Sequence, residues 1–132
     1  MVGITGLEEI AFMQDAQSCS PSSDTYCLVL VSAASEAEAQ AIATTLVQEK
    51  LAACVSLMPI TSIYTWDNQV QQSSEWQLLI KTAQRCFEAL EQRVQTLHSY
   101  EVPEIIAIPI QSGALPYLNW IASSVSCQLG EN

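Results

Sequence analysis

Basic residues are nearly missing from this chain: Lys50, Lys81, Arg85 and Arg93 stand against 14 Asp and Glu. The formal net charge of -10 leaves no basic stripe for a phosphate backbone, which argues against nucleic acid as a partner. Glycine is scarce too. Of four glycines, three lie near the ends at positions 3, 6 and 130, so no Gly-rich phosphate loop can form. Histidine occurs once, as His98, and no Cys/His pair has the spacing of a closed structural zinc site. Five cysteines (Cys19, Cys27, Cys54, Cys86 and Cys127) contain no Cys-x-x-Cys and leave an odd count. That pattern argues against a secreted disulfide framework and favours a reducing cytosol, so a cytoplasmic location is expected. No apolar run is long enough to span a bilayer, and no membrane partner is expected.

What is present is apolar. Hydrophobic residues make up 49% of 132 positions, enough for one domain with a real core. Residues 1–24 read as a flexible acidic tail, with Glu8, Glu9, Asp15 and Asp24, no basic residue and a Ser/Pro-rich run over 18–23. They show neither the basic start nor the apolar stretch of a signal peptide. Leu7, Ile10 and Ala11 fall at helical spacing, so a short docking helix is the alternative there. Residues 25–132 read as a single domain.

From Tyr26 the pattern is regular. The apolar run over 26–31 predicts a buried strand. Ser35 and Glu38 form a capping box for a helix with Ala39, Ile42, Ala43, Leu46 and Val47 on one face, ending near Leu51. A β-branched and aromatic stretch runs from Cys54 to Asp67, interrupted at Pro59, and Asp67-Asn68 suits a turn. Over 70–81, Trp76, Leu78 and Ile80 alternate with Glu75, Gln77 and Lys81 as in a strand. Thr82 is placed to cap a second helix carrying Phe87, Leu90, Val94 and Leu97. After Pro103, Ile105 to Ile110 gives a fourth strand, and a last helix runs from Leu115 to about Cys127. The order β-α-β-β-α-β plus a C-terminal helix is a ferredoxin-like α+β (α/β) sandwich.

Right-handed crossovers put both core helices on one sheet face, which leaves the other face polar in a monomer. Here the first strand is apolar at both parities, and the fourth is apolar throughout. A large apolar sheet face marks an interface. The hairpin arms, about 12 residues against the usual 5–6, carry Ile63, Tyr64, Trp66 and Val70 near the tip. Sheet-mediated oligomerisation is expected from both features.

Three sets of residues carry candidate chemistry. His98 at a helix end suits a C-terminal cap facing the dipole, or contributes one imidazole to a soft-metal site. Cys54 suits a small buried residue; as a nucleophile paired with His98 it lacks an orienting third group. Glu75, Lys81, Tyr100 and Glu104 suit either a solvated or interface salt-bridge set or a polar pocket at a subunit boundary. In that pocket Lys81 would bind an anionic group, and the carboxylates an amine or a metal. Arg85 and Arg93 fall on the polar side of the second helix and call for no special role.

These residues resemble the CutA family, the proteins named for divalent-cation tolerance. The matching segments are Glu49-Lys-Leu-Ala-Ala-Cys54, Ile63-Tyr-Thr-Trp66, Glu75, Lys81-Thr82, Tyr100-Glu-Val-Pro-Glu-Ile105, Pro109 and Tyr117-Leu-Asn-Trp120. They occur in order over about residues 25–122. The resemblance implies a homotrimer with the second and third strands pairing across subunits, and a fold similar to PII signalling proteins, which bind small effectors between subunits. By that analogy Trp66, Glu75, Lys81, Tyr100 and Glu104 line an intersubunit cleft. The family's association with copper tolerance implies a divalent cation, copper included, as candidate ligand, with no cofactor required. Some members resemble copper binders that use a cysteine near the end of strand one and paired histidines before the Tyr-x-x-Pro-Glu motif. Val31 and Leu97 stand at two of those positions, leaving His98 as the metal candidate. The reading is a non-enzymatic trimer that binds a cation or effector; the alternative is a trimeric scaffold docking an unknown protein partner through its acidic surface and tail.

Overall fold

The computed structural model describes residues 24–128 and builds them from four strands and three helices. In chain order these are β1 (Tyr26–Ala33), α1 (Glu36–Gln48), β2 (Cys54–Trp66), β3 (Gln69–Ala83), α2 (Phe87–Leu97), β4 (Ile105–Ile110) and α3 (Leu115–Ser124), with a 3-10 turn, Gln84–Cys86, before α2. The sheet order is β2-β3-β1-β4, and every neighbouring pair is antiparallel. The expected split βαβ topology is therefore present. Residues 1–23 lie outside the described residues, and the expected tail with them. Asp24 does not behave as tail, because its carboxylate pairs with Arg85 at 2.9 Å.

Alternation decides which face each strand residue joins. Val29 and Val31 of β1 stand opposite Ile80 and Leu78 of β3 and opposite Ala107 and Ile105 of β4. With Ile42 and Leu46 of α1 and Leu90 and Val94 of α2 they form the main core, closed to solvent. A second cluster, around Tyr26, Ala83, Cys86, Ile121 and Val125, fixes α3 across one end of the sheet. Ser35 caps α1, its hydroxyl accepting from the Glu38 N–H, as the capping box predicts.

Three local expectations change, and the Asp67-Asn68 turn holds. Pro59 does not interrupt β2, because β2 is an edge strand and a proline without an N–H is tolerated there. Asp67 and Asn68 both have positive φ (55° and 61°), the two-residue turn that matches strand twist, so the arms run unbroken to 13 and 15 residues. Thr82 does not cap α2: it is a buried β3 residue whose hydroxyl donates to the Leu51 carbonyl at 2.7 Å. Finally, α3 ends at Ser124 rather than Cys127. Cys127 is instead bonded to Cys86, 41 residues earlier. The cysteine count argued for reduced thiols and did not reveal this bridge, because the fold and not the spacing brings the two thiols together.

Candidate functional site

The polar centre of the molecule is assembled at the end of the sheet where β1 finishes. His98 is the C-cap residue of α2, and its backbone N–H donates to Val94. Its ring is fully enclosed, with Nε2 2.7 Å from the Ser32 carbonyl and Nδ1 accepting from the Tyr100 N–H at 3.0 Å. Those two partners fix the Nε2–H tautomer and occupy both nitrogens. The imidazole therefore offers a metal no lone pair unless one of these bonds breaks. What it does is hold the loop after α2 against the end of β1.

Glu38 completes that anchor. Its carboxylate accepts from the Ala34 N–H, the Ser99 N–H and the Ser99 hydroxyl, and lies 3.6 Å from His98 Nδ1. Burial alone would raise this carboxyl, but the hydrogen bonds from Ser99 and Ala34 outweigh it and hold it below the usual glutamate range. The sequence shows Glu38 only as half of a capping box. Its second role links residues 61 apart in the chain, and no local pattern could have signalled it.

The anchored loop presents Tyr100. Its ring packs on His98 at 4.8 Å, and its hydroxyl donates to Glu75 Oε2 at 2.6 Å. Burial, that hydrogen bond, and the charges of Glu75, Glu38 and Tyr64 all push the phenol's pKa well above its ordinary value. Tyr100 is thus a fixed neutral donor, and Glu75 keeps Oε1 for another partner. Glu104 immediately precedes β4, whose first residue stands opposite Val31, so it lies at this same end of the sheet.

The other two members of the expected cleft are elsewhere. Lys81 shares the Glu75 face of β3 but sits about 20 Å along the strand, opposite Cys54 and Leu28, with Nζ 3.4 Å from the Ser56 hydroxyl. Trp66 is at the hairpin tip opposite Gln69, 67% exposed. One chain therefore joins Tyr100 to Glu75 and does not bring Lys81 or Trp66 to them. Nor does it pair Cys54 with His98. Cys54 lies beside Tyr117, whose phenol is raised by burial and by the Cys54 thiol, while His98 is at the other end of β1. Val31, at the position of the family's strand-one ligand, is buried in the helix-covered core. Among the described residues no group of three or more His, Cys, Asp and Glu side chains could hold a metal ion.

On the sheet face away from α1 and α2 lie Leu28, Leu30, Met58, Leu79, Ile106 and Ile108. Ile106 and Ile108 are 51% and 43% exposed, and at the tip Ile63 and Val70 reach 67% and 76%. The expected second apolar face is therefore real. No helix among the described residues is long and apolar enough to cross a membrane.

A split βαβ sheet with helices on one face, an apolar second face and an overlong hairpin defines the class: a ferredoxin-like α+β protein. Residues 27–124 match the family model described as CutA1 divalent ion tolerance protein, and the chain belongs to that family. It is similar to the divalent-cation tolerance protein CutA of Thermus thermophilus, with 47% identity over 95 residues covering 71% of this chain and 92% of that protein. The chloroplastic protein CutA of Arabidopsis thaliana is 49% identical over 84 residues, covering 63% of this chain and 46% of its own length. Among solved structures, CutA1 from Oryza sativa superposes with a TM-score of 0.76 at 39% identity, covering 77% of this chain and 94% of the other. Another similar structure is titled a periplasmic divalent cation tolerance protein, from Archaeoglobus fulgidus. Names that include both chloroplastic and periplasmic members give no support to the cytoplasmic expectation.

Proposed function

We propose that the protein is a non-catalytic homotrimer whose subunits cover one another's apolar sheet face, and that it binds a divalent cation or small effector in the clefts between them. The observation that carries this reading is the second apolar face, continuous from Leu28 and Leu30 to Ile106 and Ile108. A patch of that kind on a folded domain is the mark of an interface. The separation of Glu75 from Lys81 supports the cleft. Two groups about 20 Å apart on one strand act on one ligand only if neighbouring subunits supply complementary members. Within such a cleft Tyr100 donates, Glu75 and Glu104 offer carboxylate oxygen to a cation or an amine, and Lys81 donates to an anionic group. Carboxylate donors suit a divalent cation better here than His98, whose nitrogens are already engaged.

Native mass spectrometry during titration with Cu(II) reads assembly and stoichiometry together. A species of three chains is expected, with copper adducts that persist in His98→Gln and are lost in Glu75→Gln. A single-chain species contradicts the assembly, and adducts lost only with His98→Gln contradict the carboxylate site. Absence of adducts on the wild type removes copper and leaves the effector reading.

A further inference from the structure

The end of the sheet opposite His98 is fastened differently. After α3 and Val125, which is buried in the second core cluster, the chain continues outside helix or strand as a strap, residues 126–128. The strap makes one backbone bond to the body, from the Ser126 N–H to the Lys50 carbonyl at 3.1 Å. It is also joined covalently through Cys127 to Cys86, with a Cα–Cα distance of 5.3 Å. Arg85 is the hub beside that bond. Its guanidinium donates to both Asp24 oxygens, to the Ala122 carbonyl and to the Cys127 carbonyl. It therefore ties the chain's entry into the domain to the end of α3, a role that its place on a polar helix face did not suggest.

We propose that Cys86–Cys127 is a reversible redox site, reduced by a dithiol, that fastens or releases the strap while the rest of the domain stays folded. The two sulfurs are not equivalent. Cys86 is fully buried, whereas Cys127 is partly exposed, so an attacking thiolate reaches Cys127 first. Cys86 is the N-cap residue of α2, where the positive end of the helix dipole stabilises a departing thiolate. One thiolate of the dithiol forms a mixed disulfide with Cys127 as the Cys86 sulfur leaves. The second thiolate closes the reagent into its own disulfide and expels the Cys127 thiolate. Two electrons pass from the dithiol to the protein, and the two cysteines end as thiols after taking up two protons. Of the other described cysteines, Cys27 is fully buried, and burial pushes its thiol up to about 11.

Release has a local consequence. Strap residues Ser126, Cys127 and Gln128 form one wall of a groove whose other wall includes Leu51, Ala89 and Gln92. Loss of the strap opens that flank of α2. Release also gives up the Arg85 bond to the Cys127 carbonyl; the α3 helix stays, because Arg85 keeps Ala122 and because Ile121 and Val125 still fill the second core cluster.

Hydrogen exchange by mass spectrometry, with and without dithiothreitol, combined with alkylation mapping, tests this. In untreated protein, denatured and alkylated without reductant, peptides carrying Cys86 and Cys127 should stay unmodified; after dithiothreitol both should label. Reduction should speed exchange over 126–128 by about tenfold, the protection of one net hydrogen bond or slightly more, and leave α3 and the sheet unchanged. Reoxidation should restore the slow rate. The Cys86→Ala/Cys127→Ser variant should show the fast rate in both conditions. Alkylation of either cysteine without reductant overturns the proposal. So does an exchange rate indifferent to reduction, or a change that spreads through α3 and the sheet, which would make the bond a staple of the whole fold.

Discussion

The two faces of the sheet differ in what covers them. Against α1 and α2, Val29, Val31, Leu78 and Ile80 are sealed from solvent by residues of their own chain. On the other face Leu30, Ile106 and Ile108 are just as apolar, yet within one chain they remain partly open. The lesson is that side-chain chemistry does not distinguish a core from an interface; only the accounting of what covers each residue does.

Truncation on each face separates these roles and should give the largest effect. Leu78→Ala removes a fully buried side chain and should lower the stability of the chain by about 2–5 kcal/mol in denaturant titration. Leu30→Ala on the open face should instead cost stability only at concentrations where copies associate, and the loss should fade on dilution, because in the proposed trimer association supplies its burial. If both variants lose the same stability at every concentration, the distinction between the faces fails.

At the end of the sheet, His98→Ala leaves the Ser32 carbonyl and the Tyr100 N–H without their partner. A loss of about 1–3 kcal/mol is expected by the same titration. Lengthened Tyr100–Glu75 contact should accompany it, visible as increased quenching of Tyr100 by solvent or in a crystal structure of the variant. Stability equal to wild type would show that the loop does not depend on its imidazole.

Glu38 supplies the pH dependence. Its folded pKa is lowered, so between the two values the unfolded chain binds the proton that the folded chain does not. Its contribution is complete above the ordinary glutamate range and is lost as pH falls through the folded value. Acid titration of stability should therefore be less steep in Glu38→Gln than in wild type. The smallest effect expected is that of Ser35→Ala, about 1 kcal/mol for a lost N-cap.

Most of this fold was legible because it is written in local patterns: alternation in β1 and β3, the capping box at Ser35, and the turn at Asp67-Asn68. The features that were not legible join distant positions. Thr82 looked like a cap because a threonine at the end of a strand is adjacent in sequence to a helix, while its bond to Leu51 crosses 31 residues. Arg85 looked idle because its four acceptor atoms lie on Asp24, Ala122 and Cys127, all distant from it in the sequence. The site was partly readable: Tyr100, Glu75 and Glu104 do gather at one end, but parity alone placed Lys81 on the right face without showing how far along the strand it lay. The trimer and the cleft are expectations that rest on the family resemblance; the residues themselves supplied the reason for an interface.

Copies of this chain are expected to cover the open face, and sedimentation velocity at micromolar concentration, with wild type and Ile108→Asp run side by side, reads this out. One wild-type species of three times 14.4 kDa and a folded variant of 14.4 kDa are expected. A wild-type protein sedimenting as a stable 14.4 kDa monomer would contradict that expectation.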